Sequence, residues 1–239
     1  LWHSEGRSGF ALPRPWLQLG RGLAMTLTIT CFFAGVQLMP LVDMSAISFT
    51  GPIVVSLLSP MIFKERFNRA ALIAIAIAFP GMLLILRPNF ADIGWAALLP
   101  FFSAVGFAFT VIFNRMAAGA GSAMQMQFTV VIVSLPMVGA LTVAGAMSGY
   151  PALAAPMPSA IMIAKCAVVA VTGTLSHWFL FKATERLSAA MVAPLTYSQL
   201  FVALVLGAAV FGDWPDATAL AGCALIVAAG LYLWRKGRG

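Results

Sequence analysis

Charge is what this chain lacks. Only 9% of its 239 residues are Asp, Glu, Lys or Arg, and acidic residues number seven. A soluble domain carries roughly a quarter charged residues, so this complement cannot cover a water-facing surface. Histidine occurs twice, as His3 and His177, and neither HExxH nor GxSxG is present. Metalloprotease and serine-hydrolase chemistry therefore have no footing. Cysteine occurs three times, as Cys31, Cys166 and Cys223, each inside an apolar run without a CxxC. That pattern reads as inert buried thiols and excludes a disulfide framework or a metal site. No basic run interleaved with aromatics is present, so no nucleic-acid partner is expected. The opening "LWHSEGRSGFALPRPW" also lacks the apolar core of a signal peptide.

What is present is apolar. Hydrophobic residues make up 62% and the mean hydropathy is +0.98, as in a chain whose solvent is largely lipid. A helix needs about 20 apolar residues to cross a hydrocarbon layer. Eight runs qualify: Leu23–Val42, Ala46–Phe63, Ala70–Leu86, Trp95–Met116, Ala123–Met147, Ile161–Thr184, Ala189–Phe211 and Ala217–Trp234. In lipid the backbone must satisfy its own hydrogen bonds, and the alternation of a membrane β-barrel is missing, so helices are expected. The fold expected is an all-α integral membrane bundle of about eight helices.

Basic residues orient that bundle. One side collects Arg7, Arg14, Arg21, Lys64, Arg66, Arg69, Arg115, Lys182, Arg186, Arg235, Lys236 and Arg238, the other only Arg87 and Lys165. The positive-inside rule then puts both termini in the cytoplasm of a multi-pass inner-membrane protein. The charged knot Lys64-Glu65-Arg66 becomes a cytoplasmic turn.

A shift of 148 residues lays 39–76 over 187–224. Val54 meets Val202, Leu58 meets Leu206, Phe63 meets Phe211, Glu65 meets Asp213 and Leu72 meets Leu220. Glu65 falls on the inside and Asp213 on the outside, so the copies are inverted. Inverted repeats that rock about a midplane site are the architecture of secondary transporters. The copies divide the chain at 1–88 and 89–239, with three spans in the first and five in the second. Shifting the second copy back places the start of the first about 56 residues before Leu1, room for two further ~20-residue spans. The chain is therefore expected to be a fragment.

The stretch "PLVDMSAISFTGPIVVSLLSPMIFKERFNRAALIAIAIAFPGMLLILRP" resembles the first EamA repeat of the bacterial drug/metabolite transporter superfamily. "ERLSAAMVAPLTYSQLFVALVLGAAVFGDWPDATALAGCALIVAAGLYLWRK" is similar to the second. The resemblance implies ten helices with cytoplasmic ends, of which this chain lacks the first two. It also implies carriage of small metabolites such as amino acids, with export as the usual direction. A small-molecule substrate and the lipid bilayer are then the partners, a homodimer is compatible, and no cofactor is expected. Asp213 stands where the family often has Glu.

Polar side chains within spans should face the bundle interior. The first copy offers Thr28, Thr30, Gln37, Ser48, Thr50 and Ser56. The second offers Ser103, Thr110, Asn114, Gln125, Gln127, Thr172, Ser176, His177, Tyr197, Ser198 and Gln199. Many Ser and Thr of this kind only bond their own helix. "LTYSQL", one residue past Pro194 and aligned with "SFTGP", places an aromatic, a hydroxyl and a helix breaker at mid-span in both copies. Irregular backbone at that depth lines protein or a cavity. Tyr197, Gln199, Phe49 and Thr50 are the candidate substrate contacts there, or else a packed kink. His177 with Trp178, and Gln37, complete the substrate-binding set. His177 is the one ionisable group expected well inside a span, and Trp178 alternatively anchors at the interface. Lys182 and Glu185 read as a surface pair, and Asp43, Asp213 and Asp216 as caps or wet loop residues. Two alternatives to a carrier remain: a truncated, non-transporting membrane partner, and a membrane-embedded transferase.

Overall fold

The computed structural model describes residues 13–89, 94–149, 158–212 and 214–236. Within them the chain is helical: α1 Pro15–Gly35, α2 Leu41–Ser48, α3 Gly51–Phe63, α4 Arg69–Leu86, α5 Leu98–Ala117, α6 Ala123–Met147, α7 Ala160–Arg186, α8 Ala189–Leu195, α9 Ser198–Leu206 and α10 Ala217–Lys236. A short 3-10 turn, Gly94–Ala97, leads into α5, and a π-helical turn, Gly207–Phe211, follows α9. Eight helical stretches are long and apolar enough to cross a membrane, with α2–α3 and α8–α9 each forming one broken span. The all-α membrane fold is as expected. Asp213, Arg7 and His3 lie outside the described residues.

The first two spans differ in their bounds, the second starting at Leu41 rather than Ala46. The first span runs Pro15–Gly35, about two turns earlier than Leu23–Val42. Pro15 is pre-set for the first helical turn, where its missing N–H is no loss. Gln18 and Arg21 are both 1% exposed, so they belong inside the helix; local hydropathy assigned them to a cytoplasmic loop because it cannot see their distant partners. Gln37 consequently falls beyond the helix and is exposed.

The described structure repeats itself at the 148-residue shift. On α4 the buried positions include Ala71, Ala74, Ile75, Ala78 and Gly81. On α10 they include Ala219, Gly222, Cys223, Ile226 and Ala229, each 148 further along. This i, i+3, i+4, i+7 stripe is the buried face of a helix, and the two stripes pack on each other in the most extensive contact of the bundle. The helices cross at glycines. A Cβ on Gly81 would lie 2.7 Å from the Gly222 carbonyl oxygen, and one on Gly222 would lie 2.5 Å from that of Gly81. Small residues let backbones approach this closely in membrane bundles. Equivalent helices are offset by five spans, an odd number, so the copies run in opposite directions.

Between the spans, Lys64, Glu65 and Arg66 form an exposed turn, with Lys64 in the left-handed region closing α3. Asn68 then starts α4 by accepting from the Ala71 amide at 3.1 Å. At the opposite end, Arg87 is paired with Asp216, which also caps α10 by accepting from the Ala219 amide at 2.9 Å. The hydrogen bond from Arg87, followed by that from Ala219, holds the Asp216 carboxyl below its ordinary range, and the same bond pushes the Arg87 guanidinium up. A depressed carboxyl stabilises the fold at neutral pH and loses that contribution as pH falls through its lowered value. Wild type and Asp216→Asn should therefore differ slightly in thermal midpoint at neutral pH and converge in acid below the ordinary carboxylate range. The gap should be small because the pair is exposed and screened.

Candidate functional site

The two mid-span breaks have local causes. In the first, Pro52 cannot donate to the Ser48 carbonyl four residues back, and Gly51-Pro52 restarts the helix as α3. The Thr50 hydroxyl caps the break by donating to the Ile47 carbonyl at 2.7 Å. In the second, Pro194 ends α8, and the Thr196 and Ser198 hydroxyls donate to the Ala193 and Leu195 carbonyls, both at 2.7 Å. Each hydroxyl takes up a carbonyl of the broken segment, as breaks at membrane depth require.

The breaks meet. The Tyr197 hydroxyl donates to the Phe49 carbonyl at 2.8 Å, across a separation of 148 residues, the repeat shift itself. Their rings stack with centroids 5.8 Å apart. Equivalent residues of the two copies thus touch each other, as they must where a pseudo-two-fold axis passes. Tyr197 is fully buried and does not reach the cavity described next. The phenol expected as a substrate contact is bonded here to the other copy's backbone. Tyr197→Phe should lower stability by about 1 kcal/mol, measured as the thermal midpoint in detergent.

Beside this contact lies a cavity of about 720 Å³. Phe49, Ser48 and Pro52 enter it from the first break, and Thr196, Ser198, Gln199 and Ala203 from the second. Thr28, Ser45, Ser103, Thr110, Ser176 and His177 add to its polar wall, and no Asp, Glu, Lys or Arg among the described residues lines it. Ser103 is held by donating to the Thr28 carbonyl at 3.1 Å, and Thr110 by donating to the Gly106 carbonyl at 3.0 Å. Ser48 lines the cavity, and its buried hydroxyl has no hydrogen-bond partner among the described residues. A chamber this size holds a small metabolite, with apolar walls for bulk and a few hydroxyls and amides for orientation.

Of the seven expected substrate contacts, Phe49, His177 and Gln199 line this cavity. Thr50 turns its hydroxyl to its own helix. Trp178 packs on the cluster of Ala117, Ala123, Met126 and Phe181, and Gln37 lies past the end of α1. Thr172 is exposed rather than inward, which is tolerable because its hydroxyl bonds the Val168 carbonyl at 2.9 Å. Lys182 and Glu185 pair at 2.9 Å, as expected. Asp43 is neither a cap nor a wet loop residue: it lies buried in the first turn of α2 and accepts from the backbone amide of Asn89, beyond the end of α4, at 2.6 Å.

A residue that sequence reasoning placed wrongly dominates the adjoining region. Arg21 sits about 9 Å along α1 from Pro15, at 1.5 Å rise per residue. Its Nε donates to Asn114 Oδ1 at 2.9 Å, and its Nη1 to Gln18 Oε1 at 2.7 Å and to the Met126 carbonyl at 3.1 Å. Its guanidinium lies 5.2 Å over the Phe181 ring. Thr129 completes the network by donating to Gln18 Oε1 at 2.9 Å. Arg21, Asn114 and Gln127 line a second cavity of about 320 Å³, which shares Met25, Ile29, Thr110 and His177 with the larger one. His177 is therefore not the one ionisable group inside a span, and Arg21 belongs to the first helix rather than to a cytoplasmic loop.

Residues 1–87 match the profile of the EamA-like transporter family. The chain is 24% identical over 233 residues to an S-adenosylmethionine uptake transporter of Rickettsia felis, covering 96% of this chain and 75% of that one. It is 27% identical over 233 residues to a riboflavin transporter of Rhizobium johnstonii, covering 96% and 74%. It is 27% identical over 237 residues to the pseudopaline exporter CntI of Pseudomonas aeruginosa, covering 98% and 80%. A protein crystal structure shares the fold at a TM-score of 0.75 and 19% identity, covering 97% of this chain and 80% of its own. The resemblance to EamA transporters read from the sequence is borne out.

Proposed function

We propose that this EamA-type membrane protein is a secondary carrier that moves a small metabolite across the cytoplasmic membrane by alternating access. One observation carries the reading: the two symmetry-related helix breaks meet at Phe49 and Tyr197 and open onto a shared cavity of about 720 Å³. A symmetric pair of broken helices around a midplane chamber is the arrangement that lets one half rock against the other. His177 is in place to hydrogen-bond a bound solute, Gln199 and Ser48 to orient it, and Phe49 to stack on it. The positive-inside distribution supports cytoplasmic termini. The copies are taken to divide the chain near residue 88.

The relatives' names include an uptake transporter and an exporter. Export of amino acids or related solutes is the direction the family resemblance favours. The purified protein in proteoliposomes, given labelled amino acids, S-adenosylmethionine and riboflavin on either face, tests both points. Saturable uptake of one of these is expected, faster from the cytoplasmic face. Flux no greater than in empty liposomes for every solute would contradict the carrier reading and favour a non-transporting membrane partner.

A further inference from the structure

Arg21 is a buried cation without a counter-ion. Its hydrogen-bond partners are an asparagine, a glutamine, and the backbone carbonyl and sulfur of Met126, all neutral. No carboxylate pairs with it among the described residues, whose ion pairs are Arg87–Asp216 and Lys182–Glu185. The Phe181 face supplies a partial negative charge and no more. A charge taken out of water costs several kcal/mol unless an opposite charge is brought to it. A lipid-solvated helix that keeps an arginine in such a place retains it for a partner that arrives.

The geometry says where that partner arrives. Among the described residues, Nε and Nη1 make all of the guanidinium's hydrogen bonds, and Nη2 makes none. The side chain lines the smaller cavity, which adjoins the larger and shares Met25, Ile29, Thr110 and His177 with it as wall residues. Among the described residues, no acidic side chain lines either cavity. A ligand carboxylate at Arg21 therefore meets no repulsion, and its apolar body has room along the neutral chamber beyond.

We propose that Arg21 is the anchor for a carboxylate on the transported solute, so that the substrates of this carrier are organic acids and zwitterions rather than neutral or purely cationic molecules. The inference rests on the carrier reading and names its substrate class. Asn114 and Gln18 act as positioning residues: they hold Nε and Nη1 and leave Nη2 without a bond among the described residues. Guanidinium–carboxylate hydrogen bonds are charge-assisted and geometrically selective, which suits recognition of one group on otherwise varied solutes.

The test is a comparison of matched pairs in binding, which needs no transport. The full chain in detergent is titrated with L-phenylalanine, L-leucine and L-methionine and with the corresponding amides, and the thermal midpoint is recorded. At least one acid should stabilise the protein, with its amide weaker by about tenfold or more, the size of a charge-assisted hydrogen bond. Arg21→Gln should abolish that preference, and Arg21→Lys, which keeps the charge and loses the fork, should retain part of it. If Arg21→Gln does not fold, wild type and Arg21→Lys alone decide. An arginine that serves packing only would lower the midpoint of the unliganded variants and leave acid and amide equal in wild type; that result, or stabilisation by none of the acids, overturns the proposal. Selective binding of acids with no flux in proteoliposomes would sustain the anchor and defeat the carrier reading instead.

Discussion

Gly222→Ala should be among the most damaging single methyl groups that can be added to this protein. The new Cβ would lie 2.5 Å from the Gly81 carbonyl oxygen and 2.8 Å from Ile85 Cγ1. A side chain can rotate away from such a contact, whereas a backbone carbonyl inside α4 cannot move without the helix. The α4–α10 crossing must therefore open, and it is the largest helix contact in the bundle. Overpacking in a well-filled core costs about 1–3 kcal/mol, and a clash with backbone belongs at the top of that range. For a chain of this size such a loss lowers the thermal midpoint by roughly 6–12 °C. Gly230→Ala on the same helix is the control, because its Cβ meets nothing within 4 Å. It should be neutral or stabilising by up to about 1 kcal/mol, the ordinary difference between Gly and Ala within a helix. Equal midpoints for the two variants would show that the crossing is not close-packed.

Ala203→Trp should remove transport without unfolding the protein. Ala203 projects from α9 into the large cavity and is exposed there, so an indole has space to enter and then occupies the room a solute needs. Val202, its neighbour, is 51% exposed and not part of the cavity wall. Val202→Trp accordingly controls for bulk alone. Uptake into proteoliposomes should fall at least tenfold for Ala203→Trp, which corresponds to about 1.4 kcal/mol, and stay near wild type for Val202→Trp. The midpoints of both variants should stay close to that of wild type, since each new side chain projects from an exposed position. Normal uptake by Ala203→Trp would place the pathway elsewhere.

Much of this architecture is legible in the sequence because lipid leaves a helix few options. Apolar runs bounded by Pro, Gly, Asp and Asn mark the spans from Ala46 onward to within a few residues, and Gly51-Pro52 and Pro194 announce the breaks. Pairing inside the bundle is a different matter. Gln18 and Arg21 look like loop residues because their partners are Asn114, Met126 and Thr129, on α5 and α6. Tyr197 looks like a substrate contact because its real partner, the Phe49 carbonyl, is 148 residues away. The repeat alignment did carry that information, since it placed Phe49 opposite Tyr197. Residues at aligned breaks of an inverted repeat sit near the symmetry axis and tend to meet each other. Gln37 was misplaced for a local reason: once the first span begins at Pro15, its 21 residues end at Gly35.

The central claim is that the chamber between the breaks is a water-filled route reached from each side in turn, and cysteine labelling measures it most directly. Cys31, Cys166 and Cys223 are first replaced by serine or alanine, and Ser48→Cys or Gln199→Cys is introduced, both at cavity-lining positions. A membrane-impermeant thiol reagent is then applied to right-side-out and to inverted vesicles. The account predicts modification of both cysteines from both faces, with Leu57→Cys, 47% exposed and outside both cavity walls, unreactive in lipid from either. Cysteines at 48 and 199 as inert as the one at 57 would contradict it.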